Sequence, residues 1–156
     1  MTSLCCDVIH TLQGKTLVTA ESLTGGGIGA ALTSVSGASA VYKGGIISYT
    51  NEVKHRLLGV PEAILDRYGA VSEPVARSMA EGARKAMDAD MAVSVTGLAG
   101  PTGDEYGNPV GTVFIGYSDS KNTAVKRCLF SGDRESIRNQ TIEAALNLVL
   151  SMQTSE

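Results

Sequence analysis

A serine followed by a glycine-rich turn is the first feature of the sequence that could do chemistry. Ser22 follows a β-branched run, and Gly25, Gly26 and Gly27 precede an apolar helical pattern. A helix N-terminus carries about half a positive charge and N–H groups without helical partners, so it can hold an anion or a developing oxyanion. The pattern predicts Ser22 as a nucleophile, and Thr24, Gly25 and Gly26 as contacts of the bound group. An open alternative is that Ser22 and Thr24 only cap the helix, while the glycines allow tight packing.

Lys54 is the candidate base for such a nucleophile. Tyr49 ends a predicted strand, and Asn51 is the predicted N-cap of helix 51–59, which makes Lys54 the third helical residue. The helix dipole and burial would both lower the pKa of Lys54 from its usual value of about 10.4, whereas Glu52 would raise it. A neutral lysine amine can accept a proton. The alternative is an exposed surface lysine beside a half-buried tyrosine.

Two further segments could bind a substrate. Thr96 and Gly97 follow a predicted buried strand and begin the Gly/Pro-rich loop 97–109. Open α/β sheets bind ligands at such strand ends. Arg134 and Arg138 lie four residues apart in the last predicted helix, so both guanidinium groups share a face that suits a phosphate or carboxylate. The alternatives are a flexible surface loop and a solvated helix face.

The other reactive residue types form no recognisable catalytic or metal-binding pattern. His10 and His55 are the two histidines, and we expect neither beside Ser22, which argues against a Ser-His-Asp triad. The three cysteines include the adjacent Cys5 and Cys6 and lack metal-ligand spacing. We therefore expect no metal. An odd number of cysteines also favours a reducing cytoplasm.

The composition indicates one globular domain over residues 1–156. Of the 156 residues, 43% are hydrophobic and 19% are charged, as is typical of folded domains. The net charge of −3, without a basic run, argues against nucleic acid as a partner. No apolar stretch approaches the roughly 18 residues that a membrane span needs. The N-terminus lacks a basic leader, so we expect a cytoplasmic protein without membrane attachment.

Hydrophobic periodicity and turn residues predict an alternation of helices and strands. The predicted helices lie at 4–12, within 22–35 after a turn, and at 51–59, 61–69, 72–87 and 133–152. The predicted strands are 16–21, 44–49, 90–95, 109–118 and 124–130, the last two forming a hairpin. Early alternation followed by a late hairpin predicts an α/β fold, namely a three-layer α/β/α sandwich. Its sheet should be mixed and mostly parallel, with one antiparallel strand.

Six segments of the sequence together resemble one known family. They are AESLTGGGIGAALTSVSGAS (20–39), GGIISYTNEVKHRLLGV (44–60), GAVSEPVARSMAEGA (69–83), TGLAGPTG (96–103), NPVGTVFIG (108–116) and FSGDRESIR (130–138). In this order they are similar to the C-terminal domain of the CinA (competence/damage-inducible) proteins, over nearly the whole chain. That family includes nicotinamide-nucleotide amidases. The resemblance implies a three-layer sandwich and an amidohydrolase that converts nicotinamide mononucleotide and water to nicotinic acid mononucleotide and ammonia, in pyridine-nucleotide salvage.

The resemblance also implies roles for individual residues. The family's nucleophilic serine, tyrosine, lysine, threonine and arginine fall on Ser22, Tyr49, Lys54, Thr96, and Arg134 or Arg138. Full-length CinA proteins carry an additional N-terminal domain, and we expect this chain to be a stand-alone form. The sequence departs from the family pattern where Asp104 follows Gly103 and where Asn108 precedes Pro109. An acidic loop residue could alter nucleotide affinity.

The main hypothesis is a Ser-Lys amidase. Neutral Lys54 would take the proton of Ser22, with assistance from Tyr49, and Ser22 would attack the carboxamide carbon. Backbone N–H groups at Gly25 and Gly26, with Thr96 as a further candidate, would hold the oxyanion. Tyr49 or Lys54 would then protonate the departing ammonia, and because this leaving group needs only a proton, we expect no cofactor. The alternatives are a nucleotide-binding module without turnover and a competence-related regulatory domain.

The expected partners are a small nucleotide substrate and further copies of the chain. A face of small residues in helix 72–87, formed by Ala76, Ala80 and Ala83, would permit a close helix–helix contact. That face predicts a homo-oligomer.

Overall fold

A five-stranded sheet forms the middle layer of the fold, with helices on both faces. The computed structural model describes residues 1–154. The strands are β1 (Leu17–Glu21), β2 (Tyr42–Ile47), β3 (Met91–Gly97), β4 (Thr112–Asp119) and β5 (Thr123–Leu129). The helices are α1 (Thr2–Thr11), α2 (Gly27–Thr33), α3 (Asn51–Leu58), α4 (Glu62–Tyr68), α5 (Glu73–Ala86) and α6 (Arg134–Thr154). The predicted order of helices and strands is confirmed, and a short 3₁₀ helix at Ala38–Ala40 is added to it.

The sheet is mixed, and one of its described strands runs against the others. The strand order is β2-β1-β3-β4-β5. β1 pairs in parallel with both β2 and β3, whereas β4 pairs antiparallel with β3 and β5. Four strands therefore point one way and β4 points the other way. This confirms the predicted α/β sandwich with a mixed sheet and one antiparallel strand.

Two apolar cores lie on opposite faces of the sheet. The core that includes Leu17 and Leu146 lies between the sheet and helices α1, α2 and α6. The core that includes Val18 and Met79 lies under α3, α4 and α5. Because successive side chains of a strand point to opposite faces, the neighbours Leu17 and Val18 enter different cores. The sheet is therefore covered on both faces, as parallel strands require.

The small-residue face of α5 packs inside the chain. Ala76, Ala80 and Ala83 are all fully buried, and α5 contacts β3 and β4. The carbonyl oxygen of Ala76 accepts a hydrogen bond of 2.6 Å from the Ser94 hydroxyl. The chain's own sheet covers this face, so the sequence-based reason to expect a homo-oligomer is lost. The oligomer itself stays a prediction.

The carboxyl ends of three parallel strands meet at one edge of the sheet. Glu21, the last residue of β1, lies opposite Ile47, the last residue of β2. The Ser48 N–H donates to the carbonyl oxygen of Glu21 at 2.7 Å, which continues the pairing beyond β2. β3 ends at Gly97 beside the same edge. The segments that follow β1, β2 and β3 are thus brought together, although they are far apart in sequence.

A close contact between α3 and α5 sets the position of α3, the helix that carries Lys54. A Cβ atom at Gly82 of α5 would overlap the backbone carbonyl of Leu58 at the end of α3. Backbone atoms cannot move aside as a flexible side chain can, so the approach requires a residue without a Cβ. Gly59 then ends α3 in a left-handed conformation, with φ of 70°.

Gly82→Ala should lower the free energy of unfolding by about 1–3 kcal/mol, because the added methyl group forces α3 away from α5. Urea unfolding followed by circular dichroism measures this change. Lys85→Ala, an exposed position on the same helix, is the control and should change stability by less than about 0.5 kcal/mol. A Gly82→Ala protein as stable as the parent would contradict the α3–α5 contact.

Candidate active site

Ser22 lies directly after β1, at the edge where the parallel strands end. Its N–H donates to the carbonyl oxygen of Val95 at 3.2 Å, which continues the pairing with β3. The residue is only 7% exposed, and it lines a cavity of about 360 Å³. The hydroxyl group therefore sits where an open α/β sheet binds its ligands.

The amine of Lys54 contacts the hydroxyl of Ser22. Lys54 Nζ lies 3.0 Å from Ser22 Oγ. It also lies 2.7 Å from the carbonyl oxygen of Ser48 and 3.2 Å from that of Tyr49. Lys54 is 0% exposed, which excludes the alternative of an exposed surface lysine. Two residues that are 32 positions apart thus form a buried pair.

The two carbonyl groups determine what the neutral amine can do. A neutral amine has two N–H donors and one lone pair. Carbonyl oxygens can only accept, so those of Ser48 and Tyr49 engage both N–H groups. The lone pair is then left for Ser22 Oγ, which must donate its proton in this state. This arrangement suits a base that activates a serine.

Burial lowers the pKa of Lys54 from 10.5 to about 8, because desolvation penalises the ammonium form. The helix start differs from the prediction. Thr50 rather than Asn51 is the N-cap, and its hydroxyl accepts a hydrogen bond of 3.3 Å from the Val53 N–H. Lys54 is therefore the fourth residue of α3, not the third as predicted.

Tyr49 and Arg134 form the outer rim of the cavity. Arg134 Nη1 donates to the carbonyl oxygen of Gly100 at 2.6 Å, and Nη2 donates to the Tyr49 hydroxyl at 3.2 Å. Tyr49 is 60% exposed. The rim therefore presents one guanidinium group and one open aromatic ring to whatever enters.

Thr96 and Gly97 line the inner wall of the cavity, together with the start of the loop that follows β3. The Thr96 hydroxyl donates to the carbonyl oxygen of Ala70 at 2.8 Å. That hydroxyl proton is therefore engaged within the fold, and the Thr96 oxygen faces new partners only as an acceptor.

Asp104 and Asn108 brace the loop between β3 and β4. The Asp104 carboxylate accepts hydrogen bonds from the Tyr106 N–H at 3.1 Å and from the Asn108 N–H and side-chain amide at 2.9 Å. The Asn108 amide also donates to the carbonyl oxygen of Val71 at 3.1 Å. The two departures from the family pattern hold the loop in place. Neither residue is among those that line the cavity.

The N-terminus of α2 holds an anion, but this anion is a side chain of the protein. The N–H groups of Ile28 and Gly29 donate to the Glu21 carboxylate at 2.8 and 3.0 Å. The Thr24 hydroxyl donates to the same carboxylate at 2.7 Å. Thr24 is therefore engaged inside the fold and does not line the cavity. This differs from the prediction that Thr24 contacts a bound group.

The predicted oxyanion donors Gly25 and Gly26 lie in the turn between Ser22 and α2. The Gly25 N–H donates to the carbonyl oxygen of Ser22 at 3.1 Å. Gly26 precedes α2 with φ of 100°, a left-handed conformation that favours glycine. Neither glycine lines the cavity. The glycines shape the turn, and the Gly25 N–H is already used.

The two candidate arginines have different surroundings. Arg138 Nε donates to the carbonyl oxygen of Leu23 at 2.9 Å, and Nη2 donates to that of Thr24 at 3.1 Å. Arg138 thus holds the turn after the candidate nucleophile, whereas Arg134 lines the cavity. Of the predicted binding residues, the structure brings Thr96, Gly97 and Arg134 to the Ser22–Lys54 pair and leaves the others in the surrounding framework.

Cavity size by itself does not identify the site. Another cavity, of about 350 Å³, is nearly as large, and Lys126, Phe130 and Gln140 are among its lining residues. What distinguishes the first cavity is the contact between a hydroxyl group and an amine of lowered pKa, since perturbed groups in a cleft are typical of functional sites.

Residues 1–154 contain no group of three or more His, Cys, Asp or Glu side chains that could hold a metal ion. His55 contacts the Val60 carbonyl at 2.8 Å through Nδ1 and the Glu62 carboxylate at 3.1 Å through Nε2, so both ring nitrogens are engaged away from Ser22. Within the same residues, no helix combines the length and apolar character that crossing a membrane requires.

Comparison with known proteins identifies the family. The model of the CinA C-terminal domain matches residues 3–153. The chain belongs to the CinA C-terminal domain family. Among solved structures, the competence/damage inducible protein CihA from Agrobacterium tumefaciens has a TM-score of 0.93 and 37% identity, covering 96% of this chain and 93% of that one. A CinA superfamily protein from Klebsiella pneumoniae has a TM-score of 0.96 and 32% identity, covering 99% and 98%.

Relatives within the family carry different names. The nicotinamide-nucleotide amidohydrolase PncC from Pseudomonas putida is 46% identical over 138 residues, which are 88% of this chain and 86% of that protein. A CinA-like protein from Geobacter sulfurreducens is 48% identical over 135 residues, which are 86% of this chain and 33% of that protein. The chain spans about a third of the length of this and several other curated relatives.

Glu21 and Ser48 support the Ser22–Lys54 pair from outside the cavity lining, although no motif in the sequence points to them. Glu21 is the last residue of β1 and its one charged residue. The whole strand is buried, Glu21 included. A charged residue in such a strand signals a buried polar partner, because an isolated charge is costly to bury. Ser48 contributes its carbonyl oxygen to Lys54, and no side-chain pattern in a sequence reports the use of a backbone group.

Lys54→Met should change the pH dependence of stability. Lys54 loses its proton near pH 8 in the folded protein and near pH 10.5 when unfolded. Between these values the unfolded chain binds more protons, so stability rises with pH in the parent relative to the variant. Urea unfolding at pH 7 and pH 10 measures the difference, with Lys85→Met as the exposed control. A parent-minus-variant difference that is independent of pH would contradict the lowered pKa.

Proposed function

We propose that the chain is an amidohydrolase that converts nicotinamide mononucleotide and water to nicotinic acid mononucleotide and ammonia. The observation that carries this proposal is the 3.0 Å contact between Lys54 Nζ and Ser22 Oγ inside a cavity. The identity with a nicotinamide-nucleotide amidohydrolase over most of both chains supports the choice of substrate.

The first half of the reaction transfers the acyl group to Ser22. The neutral amine of Lys54 accepts the hydroxyl proton while Ser22 Oγ forms a bond to the carboxamide carbon. The carbon–nitrogen bond then breaks, and Lys54 returns the proton to the departing nitrogen, which leaves as ammonia. Only a proton is needed by this leaving group, so the proposed chemistry calls for no cofactor.

The second half releases the acid. A water molecule loses a proton to the neutral Lys54 amine and attacks the ester carbon. The bond to Ser22 Oγ breaks, and Lys54 returns the proton to the serine. The carboxyl product ionises after release, because carboxylic acids have pKa values near 4. The dyad is regenerated, and one water molecule has been consumed for each ammonia formed.

Leu23 is our candidate for holding the oxyanion. It follows the nucleophile directly and lines the cavity, which would place its backbone N–H beside a carbon that is bonded to Ser22 Oγ. The Gly25 N–H is already engaged by the Ser22 carbonyl oxygen. A backbone donor of this kind stabilises the negative charge that develops on the carbonyl oxygen in the transition state.

Arg134 is our candidate for holding the substrate phosphate. Its guanidinium group lies at the rim, and within residues 1–154 it donates to two neutral acceptors, the Gly100 carbonyl oxygen and the Tyr49 hydroxyl. A phosphate would be a stronger partner for a guanidinium group than either of these. Tyr49 positions Arg134 through its hydroxyl and offers an exposed ring face beside the substrate.

The proposal also covers where the enzyme acts, what it binds and how it assembles. We expect the enzyme to act in the cytoplasm on a free nucleotide, without nucleic acid or membrane as a partner, and to assemble as a homo-oligomer. Two alternative outcomes have their own signatures. Calorimetric binding of nicotinamide mononucleotide without ammonia release at pH 7 and pH 9 would indicate a binding module. Salt-dependent retention on DNA would indicate a competence-related regulatory domain.

Ser22→Ala and Lys54→Ala should each abolish ammonia release from nicotinamide mononucleotide, because the first removes the nucleophile and the second removes its base. Loss of a nucleophile or its base costs several orders of magnitude in kcat. In the parent, kcat/KM should rise about tenfold per pH unit below pH 8 and level off above it, as the Lys54 amine becomes neutral.

A coupled ammonia assay measures these rates. Ser34→Ala and Lys85→Ala, both exposed positions, are the matched controls and should retain the parent's activity. Full activity in either Ser22→Ala or Lys54→Ala would exclude the dyad.

Arg134→Gln should raise KM for nicotinamide mononucleotide by about 10-fold or more, because it removes the charge that faces the phosphate. Arg138→Gln should leave KM within about twofold, since Arg138 holds backbone carbonyl groups outside the cavity. Initial rates with the nucleotide and with the phosphate-free nucleoside separate the two effects. The opposite ranking of the two KM values would assign the phosphate to Arg138.

A further inference from the structure

We infer that Glu21 is a positioning residue that fixes both members of the Ser22–Lys54 pair without contacting the substrate. The inference rests on the proposed function, because it assumes that these two residues react. Glu21 is 2% exposed and is not among the residues that line the cavity. Its effect must therefore pass through the groups that it holds.

The Glu21 carboxylate accepts four hydrogen bonds. Oε1 accepts from the Thr24 hydroxyl at 2.7 Å and from the Ile28 N–H at 2.8 Å. Oε2 accepts from the Gly29 N–H at 3.0 Å and from the Thr19 hydroxyl at 3.2 Å. All four partners donate, and both carboxyl oxygens act as acceptors. None of the ion pairs found in residues 1–154 involves it, and hydrogen bonds with the α2 terminus take the place of a cation.

A second layer of groups supports the carboxylate. The Thr19 hydroxyl donates its one hydrogen bond to Glu21. In the 2.8 Å contact between Thr19 and Tyr42, the Tyr42 hydroxyl is therefore the donor and the Thr19 oxygen is the acceptor. A Cβ atom at Gly29 or Gly45 would lie 2.6 or 2.5 Å from the Tyr42 hydroxyl. The two glycines therefore make room for that donor. Burial raises the pKa of Tyr42, which keeps the phenol protonated and able to donate.

The carboxylate controls Ser22 through the turn that follows it. Glu21 ends β1, and its side chain bonds the first two N–H groups after Gly27 in α2. The turn that contains Ser22 is thus attached to Glu21 at both ends, by the peptide bond at its start and by the side-chain hydrogen bonds at its end. Thr24, inside that turn, is tied to the same carboxylate. The hydroxyl of Ser22 is held on a short segment whose two ends cannot separate.

The backbone of Glu21 controls Lys54 through Ser48. The carbonyl oxygen of Glu21 accepts from the Ser48 N–H at 2.7 Å and from its hydroxyl at 3.4 Å. The Ser48 carbonyl oxygen in turn accepts from Lys54 Nζ at 2.7 Å. Glu21 is therefore one covalent link from the nucleophile and two hydrogen bonds from the base. A displacement of Glu21 moves the two reacting atoms relative to each other.

Glu21→Gln separates the carboxylate from the size of the side chain. A glutamine amide has one oxygen, and an NH₂ group stands in place of the other carboxylate oxygen. That NH₂ group would face two donors that bond a carboxylate oxygen in the parent. The two hydrogen bonds that one carboxylate oxygen accepts in the parent must therefore break, which loosens the turn that contains Ser22. Because a misplacement of about 1 Å can reduce a rate by about 100-fold, we expect kcat to fall about 100-fold. KM should stay within about twofold, since the cavity lining is unchanged.

The experiment combines steady-state kinetics with covalent labelling of Ser22 by a fluorophosphonate. The final extent of labelling counts folded sites, and its rate reports the reactivity of the hydroxyl group. Thr24→Val removes one donor and keeps the carboxylate, so it should lower kcat by about 10-fold without changing KM. Thr33→Val is the matched control, because the Thr33 hydroxyl bonds α2 backbone carbonyls at an exposed position. It should behave like the parent.

The outcomes separate this inference from the proposed function. A parent protein that neither releases ammonia nor labels at Ser22 overturns the proposed function, and the inference with it. An active parent with an equally active Glu21→Gln variant overturns the inference alone. So does a Glu21→Gln variant whose KM rises while its kcat per labelled site is retained. If Glu21→Gln yields no folded protein, the comparison of Thr24→Val with Thr33→Val decides, and equal kcat values overturn the inference.

Discussion

The burial of one amine is the constraint on which the rest of the site depends. An ammonium group is costly to remove from water unless acceptors surround it, and burial then favours its neutral form. Lys54 is fully buried, and its acceptors are one hydroxyl that follows β1 and two backbone carbonyls that follow β2. The amine can therefore exist with or without its proton, and it changes state near pH 8. The close approach of α3 to α5 at Gly82 is what brings this helix near the sheet edge.

The α2 terminus shows how a ligand-binding arrangement can be used internally. A glycine-rich turn before a helix commonly holds a bound anion, and here the anion is the carboxylate of Glu21. The terminus is thus committed to holding the nucleophile's turn. Under the proposed function, recognition of a phosphate passes to the rim, where Arg134 contacts neutral groups. The chain separates the task of holding the nucleophile from the task of holding the substrate.

Much of the fold could be predicted from the sequence because its signals are local. Alternating apolar periodicities, turn glycines and capping residues gave the order of helices and strands, and strand–helix alternation gave the layers. Local signals did not decide the structure where the sequence allows two arrangements. Thr50 and Asn51 are both good N-caps, and the structure selects Thr50. Ala76, Ala80 and Ala83 indicated a helix–helix contact, but they face the sheet because small residues also let a helix approach strands closely.

The sequence by itself determined which reactive groups follow the strand ends, since a strand end is a local feature. Ser22 and Tyr49 were predicted at strand ends, and they follow β1 and β2. Thr96 was predicted to follow its strand, but it lies within β3, which runs to Gly97. Only the tertiary structure decided which donors were already used. Arg134 and Arg138 look equivalent in the sequence, yet four residues advance a helix by about 6 Å. That distance places one guanidinium group at the cavity and the other on the Leu23 and Thr24 carbonyls. Hydrogen bonds between distant segments depend on ångström-scale packing, and packing is a property of the whole fold.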